Sequence, residues 1–271
     1  MESEYKNLIL EKKDRVGMIT MYNPPENRFV LSMLKEIRAA FSRFDQDEDV
    51  FLIMLKGKGE SFCRGGDVET IHSHVGWDAT EFFQNVAETA KAVRNTKKTT
   101  MAVVDGWATA GGGILANACD LVVASENSAF GATAVNFGLL CYFGPAVLLP
   151  ALGPKKAFEY IATGDLIDPY EAERRGMINK VVPREQLEEA AWELANKIIS
   201  KSPTAILLGK RCLQTCIGLE YDKAMAHGSA CMVQYQMTGE AAEGLNAYLE
   251  NREPDFKVIG LRGDFSVVRK E

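Results

Sequence analysis

Two rhythms of apolar and polar positions alternate along the first two-thirds of the chain. Short apolar runs at residues 8–11, 16–22, 51–55, 100–104, 120–124, around Phe130 and at 178–182 read as strands. The polar stretch Lys12-Lys-Asp-Arg15 is the expected turn between the first two, and Asn23-Pro-Pro-Glu-Asn27 breaks the pattern after them. From Ser32, a candidate cap, Leu34, Ile37, Phe41 and Phe44 recur at helical spacing. Further helices are predicted over 80–94, 114–118, 155–163 and 169–175. Beyond Pro183 the pattern is almost wholly helical, with segments at 185–200, 203–217, 221–237 and 240–251. Pro203 stands at a helix start, where its missing N–H costs nothing. Strands alternating with helices indicate an α/β fold. A helical end without strands of its own predicts an appendage that packs on something else, such as another subunit.

At 271 residues and 46% hydrophobic, the chain can bury a sizeable core, which excludes a disordered segment or a disulfide-built miniature. A net charge of −6 argues against a nucleic-acid partner. The longest apolar stretches, 114–118 and 146–152, fall short of the roughly 20 residues that span a bilayer, so no membrane partner is expected. The polar N-terminus, with Glu2 and Glu4, lacks the basic start and apolar core of a signal peptide, and the expected location is cytoplasmic.

The six cysteines include no C-x-x-C pair, and no Cys/His cluster along the chain has zinc spacing. His72 and His74 would point roughly 200° apart on a helix. No metal and no resident cofactor are expected.

Two glycine-rich stretches carry the chemistry. Ala110-Gly-Gly-Gly113 follows a strand and opens a helix, where backbone N–H groups lack intrahelical acceptors. It is neither G-x-G-x-x-G nor a Walker loop. Phe62-Cys-Arg-Gly-Gly-Asp-Val68 has a similar setting. Two such loops can aim two N–H groups at one oxygen and stabilise an enolate or a tetrahedral oxyanion.

With these stretches in place, the chain resembles the crotonase (enoyl-CoA hydratase/isomerase) superfamily. The resemblance rests on Asn27, the helix after Ser32, Phe62–Asp67, Asp105-Gly-Trp-Ala-Thr-Ala-Gly-Gly-Gly113, Cys119-Asp120, Ser128–Gly131, Thr163-Gly164, residues 176–183 and residues 243–254. It implies a spiral of ββα turns over residues 1–200 and a helical oligomerisation region over 201–271, assembled as a homotrimer or hexamer. It also implies an acyl-CoA substrate, with coenzyme A entering only as part of the thioester. The thioester carbonyl would rest on the N–H groups of Gly66 and Gly111, with Gly112 beside them. Arg64, Asp67 and Val68 would wrap the adenine and pantetheine, Arg28 would meet a phosphate, and Arg252 could reach a neighbouring subunit's CoA.

The chain departs from the family pattern where a hydratase carries its two glutamates. The matching positions hold Ile114 and Ala134, and neither transfers a proton. Asp105, Asp120 and Glu126 stand at positions that look structural. A dehalogenase branch has an aspartate where Tyr142 stands. A decarboxylase branch has a tyrosine where Cys141 stands, but its histidine is Gly66 here. Tyr142 is the candidate proton donor, Thr133 and Asn136 could orient a water, and Glu69, His72 and His74 could border the acyl pocket. Ile114, Ala134, Phe137 and Phe143 form an apolar wall suited to a cyclic or aromatic acyl group. Three readings stay open: a hydratase or lyase with a non-standard acid/base, a malonyl-type decarboxylase, and a non-catalytic acyl-CoA binder.

Overall fold

β1 (Leu8–Lys13) and β2 (Val16–Met21) form an antiparallel hairpin turned at Asp14, whose φ is 45°. The turn is tighter than the polar stretch at 12–15 suggests, because Lys12 and Lys13 pair with Gly17 and Val16 and hold their side chains in solvent. This computed structural model describes residues 5–73, 77–141 and 147–256. The chain divides into two compact units, Met1–Ala195 and Asn196–Glu271.

In the first unit the remaining strands are β3 (Leu52–Gly57), β4 (Thr99–Val104), β5 (Trp107–Thr109), β6 (Leu121–Ser125), β7 (Ala129–Gly131), β8 (Leu166–Ile167) and β9 (Lys180–Val182). The main sheet has the order β1-β2-β3-β4-β6-β9, parallel from β2 onward. β2 and β4 are buried at every position, as central parallel strands covered on both faces must be. A smaller sheet, β5-β7-β8, stands beside it. β5 and β8 escaped the sequence pattern because three and two residues are too few to show a period.

α1 (Leu31–Gln46) buries Met33, Leu34, Ile37, Phe41 and Phe44 along one stripe. It starts one residue before the expected cap. Val30 holds the cap position without a side-chain bond, and Ser32 Oγ instead accepts the Nδ2 of Asn7 at 3.2 Å. α2 (Val68–Ser73) is a short helix, followed by α3 (Trp77–Arg94), which Arg38 fastens to α1 by donating to Asn85 Oδ1 at 2.8 Å. α4 (Gly111–Ala118) follows β5 directly. α5 (Leu149–Thr163) breaks at Gly153, α6 (Pro169–Arg174) is capped by Asp168, and α7 (Leu187–Ile199) crosses the unit boundary.

The second unit holds α8 (Pro203–Cys216), α9 (Tyr221–Gln236) and α10 (Gly239–Leu249). Ser202 caps α8, with Pro203 in its first turn. The buried Glu240 carboxylate reinforces that cap, accepting from Thr204 N at 3.1 Å, Thr204 Oγ1 at 2.6 Å and the Ser202 hydroxyl. α9 buries none of its side chains, while Leu213, Ile217, Tyr221, Met225, Met232 and Val233 of α8, α9 and their loop stand exposed. Among the described residues, no helix is long and apolar enough to cross a membrane.

Candidate active site

Backbone pairing brings the two glycine stretches together. Cys63 N donates to Trp107 O at 2.9 Å, and Thr109 N donates back to Cys63 O at 3.1 Å, so the first loop lies along β5. Asn27, wholly buried at φ 51°, anchors the approach. Its Nδ2 donates to Lys58 O at 3.0 Å and Ser61 O at 2.7 Å, and its Oδ1 accepts Asn23 N at 2.9 Å. Phe29 N donates to Gly65 O at 2.7 Å and Asp67 N to Phe29 O at 3.0 Å, which fixes Gly66 from both sides.

Gly65 has φ +85°, and a Cβ on it would lie 3.0 Å from Gly111 N. The first N–H of α4 therefore lies against the first loop. Ala110 turns into α4 at φ 47° and ψ −121°, a conformation that costs a residue with a side chain about 1–3 kcal/mol. Its N–H donates to Gly131 O at 2.9 Å, so β7 holds the strained turn.

The paired loops open onto a cleft of about 710 Å³, counted to its open mouth. Ile71, Phe82, Phe83, Val86 and Ile114 give it an apolar lining. Thr133, Ala134, Phe137, Leu139, Leu140 and Cys141 line it as well. The only charged residues among the described lining are Arg28 and Arg64. Arg28 Nε pairs with Glu26 at 2.8 Å, and its Nη1 donates to Gly66 O at 3.3 Å. Arg64 lies 4.0 Å over the Trp107 ring and pairs with the same Glu26. Burial alone would push the Glu26 carboxyl up, but Arg64 and Arg28 together hold it below its ordinary value.

The cleft gathers Arg28, Arg64, Gly66, Val68, Gly111, Ile114, Thr133, Ala134, Phe137 and Cys141 from the sequence-derived set. Two members lie outside the lining. Asp67 turns its Oδ1 to Thr70, accepting from N and Oγ1 at 2.7 Å each, and so caps α2. Gly112 faces the Cys63 carbonyl instead. Glu69 and His72 are exposed on α2 and do not line the cleft, whereas Ile71 of the same helix does. Asn136 donates to Gly164 O at 3.3 Å and packs on that glycine. Asp105 holds Ser125 at 2.7 Å and Arg184 at 2.8 Å, and Asp120 Oδ2 takes Thr100 N and Oγ1, both structural placements. Tyr142, Phe143 and His74 lie outside the described residues. Burial pushes the Cys63 thiol up to about 12, which keeps it protonated and unreactive at neutral pH. Phe82, Phe83 and Val86 were missed by sequence reasoning. Their signal is the i, i+1, i+4 apolar spacing on α3, which marks one helix face without saying what lies across from it.

The chain matches the family described as Enoyl-CoA hydratase/isomerase over residues 11–258. It belongs to the enoyl-CoA hydratase/isomerase family. It is 36% identical over 256 residues to enoyl-CoA hydratase domain-containing protein 3, mitochondrial, of Rattus norvegicus, covering 93% of this chain and 85% of that protein. It is 31% identical over 255 residues to crotonyl-CoA hydratase of Syntrophomonas wolfei, covering 93% and 98%. The crystal structure of human enoyl coenzyme A hydratase domain-containing protein 3 superposes with a TM-score of 0.88 at 31% identity, across 92% of this chain and 100% of that one.

In this enoyl-CoA hydratase/isomerase chain, Ile114 and Ala134 both line the cleft, so side chains at these two positions border whatever occupies it. No carboxylate or imidazole is present among the described lining residues. Elsewhere, the fold assembles what linear spacing did not show. Cys212, His227 and Cys231 converge in the second unit, although no zinc spacing joins them along the chain.

Proposed function

We propose that the cleft binds an acyl-CoA thioester whose carbonyl oxygen accepts from the N–H groups of Gly66 and Gly111. The close approach of the two glycine loops at the head of an apolar cleft carries this reading. Such donors stabilise the enolate that forms when charge moves onto the thioester oxygen, and losing one donor of this kind costs about 10²–10³ in rate. Arg28 and Arg64 at the cleft supply positive charge for the phosphates of the coenzyme, and Val68 borders the path of the pantetheine. Phe82, Phe83, Phe137 and Ile114 favour a broad, unsaturated acyl group, cyclic ones included.

The reaction is hydratase or lyase chemistry on that acyl group with a non-carboxylate acid/base, and Tyr142, next to the lining Cys141, is its candidate. A second reading is favoured by the cleft's lack of carboxylate and imidazole among described residues. Decarboxylation of a malonyl-type thioester needs an oxyanion hole but no strong base. Self-association through the exposed apolar face of α8 and α9, as a trimer or hexamer, completes the proposal. Sedimentation of the chain as a monomer at micromolar concentration would count against that part.

Mass spectrometry of products from crotonyl-, cyclic dienoyl-, aryl- and malonyl-type thioesters separates the readings. Gain or loss of water on one thioester supports the hydratase or lyase. Loss of carbon dioxide moves the assignment to the decarboxylase. Binding without turnover across the panel leaves a non-catalytic acyl-CoA binder.

A further inference from the structure

α8 and α9 bring four soft side chains into one neighbourhood. Cys212 and Cys216 are four residues apart on α8, and His227 and Cys231 are four apart on α9. That spacing stacks each pair on one helix face. The four-residue connection at 217–220 returns α9 antiparallel to α8, so the two faces meet. The Sγ atoms of Cys212 and Cys231 and a ring nitrogen of His227 lie within 4.8 Å of one another, all three residues half-buried. His227 Nε2 stands 3.6 Å from Cys231 Sγ. Cys216 sits close enough to Cys212 for the two thiols to interact, and its own Sγ reaches Ala224 O at 3.7 Å.

These distances suit a metal. Tetrahedral zinc, with Zn–S about 2.3 Å and Zn–N about 2.0–2.1 Å, separates its ligand atoms by about 3.6–3.8 Å. The His227–Cys231 edge already has that length. The other two edges among Cys212, His227 and Cys231 need a contraction of about 1 Å or less, within the reach of side-chain rotation. Thiolate and imidazole donors select a soft or borderline cation over magnesium or calcium.

We propose that Cys212, His227 and Cys231 bind one zinc ion per chain, with a water completing the tetrahedron. The site draws ligands from two helices, and one of them, α9, buries no side chain of its own. A cation here cross-links the hairpin formed by α8 and α9. Its role is structural, and it is independent of which reaction the cleft performs.

The test uses the full chain, purified under reductant, stripped with a chelator and titrated with cobalt(II), then zinc(II). The expected result is one cobalt per chain with the intense visible bands of a tetrahedral thiolate site, displaced by zinc, and a higher melting temperature with metal. Cys212→Ser with Cys231→Ser abolishes the bands. His227→Gln alone weakens zinc binding by about 100-fold or more, since even an outer-shell partner is worth 10–100-fold. Circular dichroism of each variant confirms that it folds. Absence of the bands in the folded parent overturns the proposal. So does stoichiometric binding that survives the double substitution.

Discussion

A methyl group on Gly112 would sit 2.0 Å from the carbonyl oxygen of Cys63. Both partners are backbone, so neither can swing aside. This contact sets how closely α4 docks against the first glycine loop, and with it the distance between the two N–H groups proposed to share one oxygen. Gly112→Ala is expected to destabilise the first unit by about 3 kcal/mol, the upper end of overpacking costs. The folded fraction should also lose affinity for a saturated acyl-CoA. Thermal denaturation and titration calorimetry check both, and a variant with parental stability and affinity would show that the loops are not set by this contact.

The two arginines at the cleft differ from the rest of its lining in being charged. Replacing Arg64 by Met removes the stack on Trp107 and one partner of Glu26, and replacing Arg28 by Met removes the donor to Gly66 O. Each substitution is expected to weaken acyl-CoA binding by about tenfold, the worth of one charge-assisted hydrogen bond. The matching pantetheine thioester, which lacks the nucleotide phosphates, should lose much less. Equal losses for both ligands would place the arginines away from the coenzyme.

Ile114 and Ala134 line the cleft where the family resemblance places glutamates. The double substitution Ile114→Glu with Ala134→Glu supplies the missing proton carriers. Hydration of a crotonyl thioester should rise by about 100-fold or more, the lower range for positioned acid/base groups. A folded, thioester-binding double variant that hydrates no faster would mean that proton transfer is not what the cleft lacks.

Arg252 forks onto Glu243, Nη1 to Oε1 at 2.6 Å and Nη2 to Oε2 at 2.9 Å, an intrachain pairing that occupies the guanidinium. The guanidinium first, and then the backbone N–H of Asp255, hold the Glu243 carboxyl down to about 2. A depressed carboxyl stabilises the fold above its unfolded value, near 4.3, and loses that contribution as pH falls toward 2. Arg252→Met should return Glu243 to a titration near 4, read from its side-chain carboxyl carbon by NMR. An unchanged titration would assign the shift to something other than the ion pair.

The strands other than β5 and β8, the order of the helices and the two glycine loops were legible because each rests on local rules. Apolar runs, helical spacing and glycine at a strand-to-helix turn are all visible within a dozen residues. Ser32 looked like a cap, but Asn7, far away in sequence, takes its hydroxyl. Asp67, expected beside the coenzyme, uses one carboxylate oxygen to cap α2 three residues on, a role the sequence did not show. Long-range pairings were invisible. The approach of Gly65 to Gly111 and the meeting of Cys212 with His227 and Cys231 depend on how elements pack, which no spacing along the chain reports. The helical end beyond residue 200 was anticipated from its lack of strands, and it exposes apolar residues of α8 and α9.

The account depends most on the oxyanion site, which the carbonyl itself can report. A saturated acyl-CoA labelled with carbon-13 at the thioester carbonyl, bound to the full chain, is read by NMR. The account predicts a downfield shift of that carbon on binding, from two backbone N–H groups polarising the carbonyl, and its loss in Gly112→Ala. A bound ligand whose carbonyl resonates as it does in free solution would contradict it.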